Sequence, residues 1–349
     1  MSTGKRNGSR YYGRFAAILA AAVLTAAGLA GCAAVPAQTA QESASAETAE
    51  EPAESAAVRI GSLKGPTTMG LVNLMKAAED GSAEGNYEFT MAVQADEIAA
   101  GIVGGSLDVA FIPANLASVL YSRTGGGVCA AAINTLGVLY CVTGDESIAS
   151  VKDLEGKTIV TTGQGTTPEY SIRYLLDANG IEAELEFKSE AAEVAALLKE
   201  DSSAVAVLPQ PFATVAQAQN EELSAAFSLA EEWDAVSEGA SMLVTGVTVI
   251  RKDFLEEHPA EAALFLEEAG RSAALAAEDP DATAELIASY GIIEKAPIAR
   301  KALPFCNIVC ITGEEMKKAL SGYLDVLAGF DPKSVGGSVP ADDFYYTGF

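Results

Sequence analysis

Residues 158–180, TIVTTGQGTTPEYSIRYLLDANG, decide the fold of this chain. The first four residues, Thr158–Thr161, favour a buried strand, and the two glycines that follow predict a loop. Pro168 stands where a helix begins, and Asn179-Gly180 is typical of a helix end, so we predict a helix over 168–178. A strand, a glycine-containing loop and a helix in this order are typical of an α/β fold with parallel strands.

The same pattern recurs on both sides of this stretch. Further strands are predicted at 58–63, 87–93, 107–112, 184–187 and 204–208. A helix is predicted from Pro66 to Met75, and Thr312-Gly313-Glu314-Glu315 fits a capping box at the start of the last long helix. Two apolar extended segments, near 136–143 and 242–250, are natural places for the chain to pass between two lobes. We therefore predict lobe 1 over 58–138 and 246–349 and lobe 2 over 139–245, each a mostly parallel sheet flanked by helices.

The first 32 residues have the pattern of an export signal. Four basic residues precede the apolar run Phe15–Ala30, which is shorter than the ~20 residues of a membrane-spanning helix. Leu29-Ala30-Gly31-Cys32 resembles the bacterial lipobox, in which the cysteine is lipidated and becomes the mature N-terminus. We expect a lipoprotein signal peptide over 1–31 and a lipid anchor on Cys32 at the outer face of the cell membrane. The alternative is an ordinary signal peptide that contains Cys32.

The composition of the chain limits which structures and partners we expect. Residues 32–57 consist mostly of small and polar residues and predict a disordered tether. The net charge of −26 argues against nucleic acid and anionic headgroups as partners. Four cysteines, Cys129, Cys141, Cys306 and Cys310, are enough for two disulfides, but no spacing resembles a metal site. We expect all four to be buried small apolar residues, and their disulfide state stays open. We expect no metal and no cofactor.

Four loops are candidates for ligand contact. In open α/β sheets, ligands lie beyond the carboxyl ends of strands, at helix N-termini. The loops are 63–69, 113–118, 163–170 and 208–212, two in each predicted lobe, so they would face each other across a cleft. The candidate ligand-binding side chains are Lys64, Thr67, Thr68, Asn115, Thr166, Thr167, Glu169, Gln210 and Phe212. For each Thr and Asn alone, helix capping is an equally good explanation.

The charge of the ligand stays open at this point. Lys64 would hold an anion, whereas Glu169 would pair with an amine or act only as a partner of its helix dipole. Phe212, Tyr170 and Trp233 would stack on a heteroaromatic ring, although each is more often a core residue.

These motifs resemble a known family. Lys152–Val160, the loop Gly163–Pro168 and Ala204–Phe212 are similar to the second lobe of type II periplasmic solute-binding proteins, and Leu107–Phe111 is similar to a first-lobe strand. The nearest branch is that of nitrate, sulfonate, taurine and thiamine-precursor importers of the ABC class. The resemblance implies a monomeric Venus-flytrap clamp that delivers a small polar solute to an ABC permease with its ATPase. That solute would be a sulfonate- or nitrate-like anion or a pyrimidine- or thiamine-like precursor.

Two alternatives stay open. One is an enzyme on the same two-lobed fold, such as a pyrimidine-precursor synthase or a dehydratase; the other is a tethered ligand sensor. The only histidine, His258, precedes Pro259 at a predicted helix start, and Cys129 and Cys141 lie in apolar runs. Since general acid–base or nucleophilic chemistry needs a positioned base beside a reactive group, we predict no catalytic residue.

Overall fold

A computed structural model describes residues 56–348 of the chain. The predicted signal peptide, Cys32 and nearly all of the predicted tether lie outside the described residues. The strands are β1 (Val58–Leu63), β2 (Tyr87–Ala92), β3 (Val109–Pro113), β4 (Val128–Leu136), β5 (Leu139–Thr143), β6 (Thr158–Thr161), β7 (Glu184–Phe187), β8 (Val205–Pro209), β9 (Ser224–Ser228), β10 (Val244–Arg251) and β11 (Ile308–Ile311). The helices are α1 (Pro66–Met69), α2 (Val72–Glu79), α3 (Ala95–Val103), α4 (Ala114–Arg123), α5 (Thr167–Asn179), α6 (Ala191–Glu200), α7 (Phe212–Gln219), α8 (Leu229–Ser237), α9 (Lys252–Glu257), α10 (Pro259–Glu278), α11 (Pro280–Ser289), α12 (Ala296–Ala302) and α13 (Gly313–Phe330).

The strands form two sheets. Sheet A has the order β11-β4-β10-β3-β1-β2, and sheet B has the order β7-β6-β8-β5-β9. Sheet A takes its strands from 58–136 and 244–311, and sheet B takes its strands from 139–228. The chain therefore leaves sheet A after β4 and returns to it with β10. The exact lobe boundaries predicted above remain a proposal.

Both sheets are mixed, which refines the expectation of mostly parallel sheets. In sheet A, β1 to β4 run in one direction, while β10, inserted between β3 and β4, and β11 at the edge run in the other. In sheet B, β5 is the reversed strand, between β8 and β9. The reversal has a topological reason, because β5 and β10 are the strands with which the chain enters each sheet from the other one.

Helices cover both faces of each sheet, which confirms the α/β fold class. One apolar cluster joins α3, α4 and α13 to sheet A and continues beneath α5 and α8 to sheet B. On the opposite faces, α2 and α10 pack on sheet A, and α6 and α7 pack on sheet B. Burial of these apolar faces is the main stabilising contribution to the fold.

Two local predictions were wrong. The helix predicted from Pro66 to Met75 is split, since α1 ends at Met69 and α2 begins at Val72. The carbonyl of Gly70, between them, accepts a hydrogen bond from Ser272 Oγ at 2.6 Å, and a Cβ there would lie 2.9 Å from Ile308 Cγ2. The last long helix does begin after Thr312, but the Thr312 side chain makes no capping hydrogen bond, so the predicted capping box is absent there.

Candidate functional site

The facing edges of the two sheets meet at the crossing segments. Gly137 and Val138 alone connect β4 to β5. Pro113, at the end of β3, pairs with Gly246 of β10, and Pro209, at the end of β8, pairs with Leu139 of β5. The loops after β3 and β8 therefore flank the crossing. The loops after β1 and β6 follow the neighbouring parallel strands at the same two edges.

The loop after β1 holds its threonines by local hydrogen bonds. Thr67 and Thr68 donate their hydroxyls to the carbonyl of Leu63 at 2.8 and 2.6 Å. Both side chains are buried and are held within their own loop by these bonds, but neither hydroxyl caps α1. Lys64 is exposed and forms no ion pair within residues 56–348.

The loop after β3 offers an amide with no partner. Asn115 lies in the first turn of α4 and is half-buried. Its side chain makes no hydrogen bond to any residue that the structure describes. The first N–H groups of a helix have no intrahelical acceptor and favour negative charge nearby. The start of α4 can therefore supply both backbone and side-chain donors to a ligand.

The polar side chains of the loop after β6 already form hydrogen bonds with other residues of the protein. Thr166 donates to the carbonyl of Gly163 at 2.6 Å, and Thr167 accepts from the Tyr323 hydroxyl at 3.3 Å. Glu169 accepts from the Gly165 N–H at 2.6 Å and from Arg173 Nε at 2.7 Å. Although burial opposes the shift, these donors hold the pKa of Glu169 below its ordinary value. Its carboxylate thus stays charged and paired within its own helix and loop.

The loop after β8 has two groups that are available to contact a ligand. Gln210 is 3% exposed, and its Oε1 accepts from the Thr214 hydroxyl at 2.8 Å. Its side-chain nitrogen makes no hydrogen bond within the described part of the chain. Phe212, at the start of α7, is 38% exposed. A free amide donor and an accessible ring therefore lie next to the crossing.

Two aromatic candidates are core residues. Trp233 is fully buried, with its ring centroid 4.2 Å from that of Tyr174 and 5.7 Å from that of Tyr323. Its indole N–H donates to Ser241 Oγ at 2.9 Å. Tyr170 stacks on Phe330 at 5.9 Å. The hypothesis that Tyr170 or Trp233 stacks on a ligand is therefore wrong, because both rings are occupied by other side chains.

The sequence reasoning missed Asn134. Thr135 pairs with Gly246 and Ile133 with Val247, which leaves Asn134 as the extra residue of a β-bulge. A Cβ at Gly246 would lie 2.5 Å from both Asn134 Oδ1 and Thr67 Cγ2, so these side chains pack against the glycine at the crossing. Bulges often redirect side chains next to binding sites. The signal in the sequence was the polar pair Asn134-Thr135 within an otherwise apolar run.

No catalytic or metal site is assembled within residues 56–348. His258 lies between α9 and α10, where its ring packs on Phe254 at 5.1 Å. All four cysteines in this part of the chain are free thiols. Burial raises the pKa of Cys129 and of Cys141 to about 12, so neither thiol is activated. Cys306 is buried too, whereas Cys310 is exposed, contrary to a buried role for all four.

Among the same residues, no group of three or more His, Cys, Asp or Glu side chains is placed to hold a metal ion. No helix described there is long and apolar enough to cross a membrane.

Comparison with known proteins identifies part of the chain. Residues 128–283 match the family model described as NMT1/THI5 like. The matched segment covers less than half of the chain. This segment runs from β4 into α11 and so contains the crossing strands and all of sheet B. No curated protein gives a significant sequence match.

Solved structures share the fold of the NMT1/THI5-like segment and of the chain around it. An ABC transporter protein from Parabacteroides distasonis is 21% identical with a TM-score of 0.70, covering 84% of this chain and 99% of that one. The aliphatic sulphonate binding protein SsuA from Escherichia coli is 13% identical with a TM-score of 0.66, covering 83% and 92%. The nitrate-binding protein NrtA from Synechocystis PCC 6803 is 14% identical with a TM-score of 0.53, covering 83% of each chain. The predicted resemblance to this branch of binding proteins is confirmed for the fold.

Proposed function

We propose that the chain is the extracytoplasmic solute-binding subunit of an ABC importer. In this proposal a lipid on Cys32 anchors it to the outer face of the cell membrane, and the monomer delivers a small polar solute to a permease with its ATPase. The observation that carries the proposal is the meeting of two sheet edges, each with helix starts, at two crossing segments, the first of which consists only of Gly137 and Val138. The shared fold with sulphonate- and nitrate-binding proteins supports it.

We assign solute contact to the groups that the protein itself leaves unengaged at these edges. They are Lys64, Asn115, the amide nitrogen of Gln210 and the ring of Phe212. The hydroxyls of Thr67, Thr68 and Thr166 are secondary candidates, since each already donates to a backbone carbonyl.

The charges of these solute-contacting groups favour an anionic solute over a cationic one. Lys64 and the start of α4 favour negative charge, while the carboxylate of Glu169 is already neutralised by Arg173. A nitrate- or sulfonate-like anion is therefore preferred over a thiamine-like amine.

Function follows from bending at the crossing segments. A solute that bridges both edges shifts the population toward the closed form by no more than its differential affinity for that form. The bending residues are expected at 137–138 and just before Val244, because the chain changes sheet only there.

Calorimetry of the purified protein tests the proposal, preceded by mass spectrometry of any small molecule that co-purifies. Nitrate, an alkanesulfonate and a pyrimidine are titrated in turn, and we expect one of the anions to bind and to decrease the radius of gyration. Lys64→Ala should weaken that binding about tenfold, the loss of one charge-assisted contact. Lys152→Ala, which removes another exposed lysine without an ion pair in the described chain, is the matched control.

Asn115→Ala should also weaken binding while leaving the unfolding midpoint unchanged, because the amide has no partner within residues 56–348. Absence of binding by every solute, or an unchanged radius at saturation, contradicts the clamp. Turnover of a bound solute would support the enzyme on this fold instead.

A further inference from the structure

A second groove lies between α7 and α12, next to the loop after β8 and apart from the other three loops. Its volume is about 420 Å³, within the range of small-molecule sites. One wall comes from α7 of sheet B, and the other from α12 and the turn that follows it. The lining residues are Thr214, Gln217, Ala218, Arg300, Lys301, Pro304 and Phe305. None of the nine predicted ligand-binding residues is among them.

The groove adjoins one part of the proposed solute site, because Thr214 in its lining donates its hydroxyl to Gln210 Oε1 at 2.8 Å, and it is separated from the other part. The turn at Leu303–Phe305 leads into β11, which pairs with β4 at the edge of sheet A. The strands β1 and β3, whose loops carry Lys64 and Asn115, lie on the other side of β10. The crossing strands β4 and β10 therefore stand between the groove and those loops.

Two cationic side chains converge on this groove. Arg300 uses its Nε to bind Asp281 at 2.6 Å, and its guanidinium has further N–H donors. Lys301 is exposed and has no ion pair within the described residues. The whole chain carries a net charge of −26. Adjacent cations that line one concave surface of such an acidic protein form a local site for an anion.

An aromatic ring is held beside these cations. Phe305 is 45% exposed, although a large apolar ring is usually buried. Its ring meets that of Tyr140 edge-on at 5.9 Å, and its carbonyl accepts from the Tyr140 hydroxyl at 2.9 Å. These two contacts fix the position of Phe305 in the folded protein, so the exposed ring is a ready surface for stacking.

We propose that this groove binds a small organic anion that carries a flat ring, of the aryl phosphate class. The phosphate would contact Arg300 and Lys301, because guanidinium and ammonium groups bind phosphate by charge-assisted hydrogen bonds. The ring would lie against Phe305. The proposal does not depend on the solute or on the importer function proposed above.

Titration with phenyl phosphate and with inorganic phosphate tests this site. Phenyl phosphate should bind at least threefold more tightly than inorganic phosphate in the native protein. Lys301→Ala should weaken both by about tenfold, as for one charge-assisted contact. Lys295→Ala, which removes an exposed lysine just before α12 and outside the groove, is the matched control and should change neither. Phe305→Leu should weaken phenyl phosphate binding until its affinity equals that of inorganic phosphate, because it removes only the stacking surface.

Three outcomes would overturn the site. The first is no saturable binding of phenyl phosphate, and the second is equal loss in the Lys301→Ala and Lys295→Ala variants. The third is loss of phenyl phosphate binding in Lys64→Ala or Asn115→Ala, which would place the anion at the loops and not in the groove. The solute titrations fail or succeed independently, since they use different ligands and since Lys64 and Asn115 do not line the groove.

Discussion

The helices of sheet A meet those of sheet B at two places, and the two contacts differ in character. At one, α13 packs on α5 and α8 through Tyr323 and Trp233, both fully buried, and through the stacked pair Tyr170 and Phe330. At the other, α12 and its turn approach α7 across an open groove with Phe305 half exposed. The first contact is an apolar core shared by both sheets, whereas the second is an open surface lined by both polar and apolar side chains.

The difference separates a stable junction from the groove that we propose as a ligand site. Buried aromatic rings stabilise the α13 contact by excluding water. The α12 contact relies on the hydrogen bond and edge-on ring contact between Tyr140 and Phe305 and leaves cations and polar groups accessible. Substitutions that remove packing should therefore cost most at α13, and those that change ligand affinity without unfolding belong at α12.

The largest expected effect comes from Tyr323→Ala. This removes a fully buried ring that touches Trp233 and bonds Thr167, so the free energy of unfolding should fall by about 3–5 kcal/mol. Phe305→Ala, at the other contact, should cost only about 1 kcal/mol because much of that ring is already exposed. Urea unfolding measures both. Equal losses would show that the contacts do not differ as described. Tyr323→Phe keeps the ring, and should cost about 1 kcal/mol for the hydrogen bond alone.

Two glycines on α13 allow the packing of this helix to be tested by the same substitution, glycine to alanine, at a crowded and at an open position. A Cβ at Gly322 would lie 2.7 Å from both the Ala240 carbonyl oxygen and Ser241 Cβ, so Gly322→Ala should destabilise the protein by about 1–3 kcal/mol. Nothing lies within 4 Å of a Cβ at Gly329, and Gly329→Ala should stabilise it by up to about 1 kcal/mol, because alanine favours the helix. Thermal unfolding of both variants measures the difference. Similar midpoints would mean that α13 is free to shift away from residues 240–241.

The smallest expected effect concerns pH at the start of α5. Hydrogen bonds from Gly165 and Arg173 lower the pKa of Glu169 in the folded protein despite its burial. A lowered folded pKa contributes stability above the unfolded value of about 4.3 that is lost as pH falls through the folded value. Glu169→Gln should cost about 1 kcal/mol at pH 7.

The cost of Glu169→Gln should shrink below about pH 4.3, as the wild-type carboxyl becomes protonated in both states. Unfolding in urea at pH 7 and pH 3.5 measures this. A cost that stays constant with pH would show that the charge of Glu169 is irrelevant to the α5 start.

Much of the fold was predictable because many strands and helices are indicated by sequence patterns within a single short stretch. The strand Thr158–Thr161, the loop after it and the helix that ends at Asn179 depend on propensity and turn residues within one stretch. Other elements lack a local signal. The predicted helix Pro66–Met75 is split at Gly70, which packs against Ile308, a residue that lies far away in the sequence. The sequence between 212 and 242 gave no element prediction, although it forms α7, β9 and α8.

The candidate site was predictable in position but not in the state of its side chains. The loops follow strand ends, and strand ends are readable from the sequence. Whether a side chain is free depends on its neighbours, and Glu169 and Thr167 are engaged by Arg173 and Tyr323 respectively. Asn134 was missed because a β-bulge arises from the register of two strands, and one of them, β10, is about a hundred residues away.

The sequence by itself determined that alternating strands and helices form an α/β protein, and that its loops carry donors at strand ends. Hydrophobic periodicity and turn residues act over short distances, so they appear in the order of amino acids. Only the tertiary structure decided that Tyr323 and Trp233 join the two sheets and that Arg300, Lys301 and Phe305 line one groove. It also decided that Asn115 and Gln210 each keep a group without a partner among residues 56–348. These are contacts between distant segments, and packing and strand register bring them together.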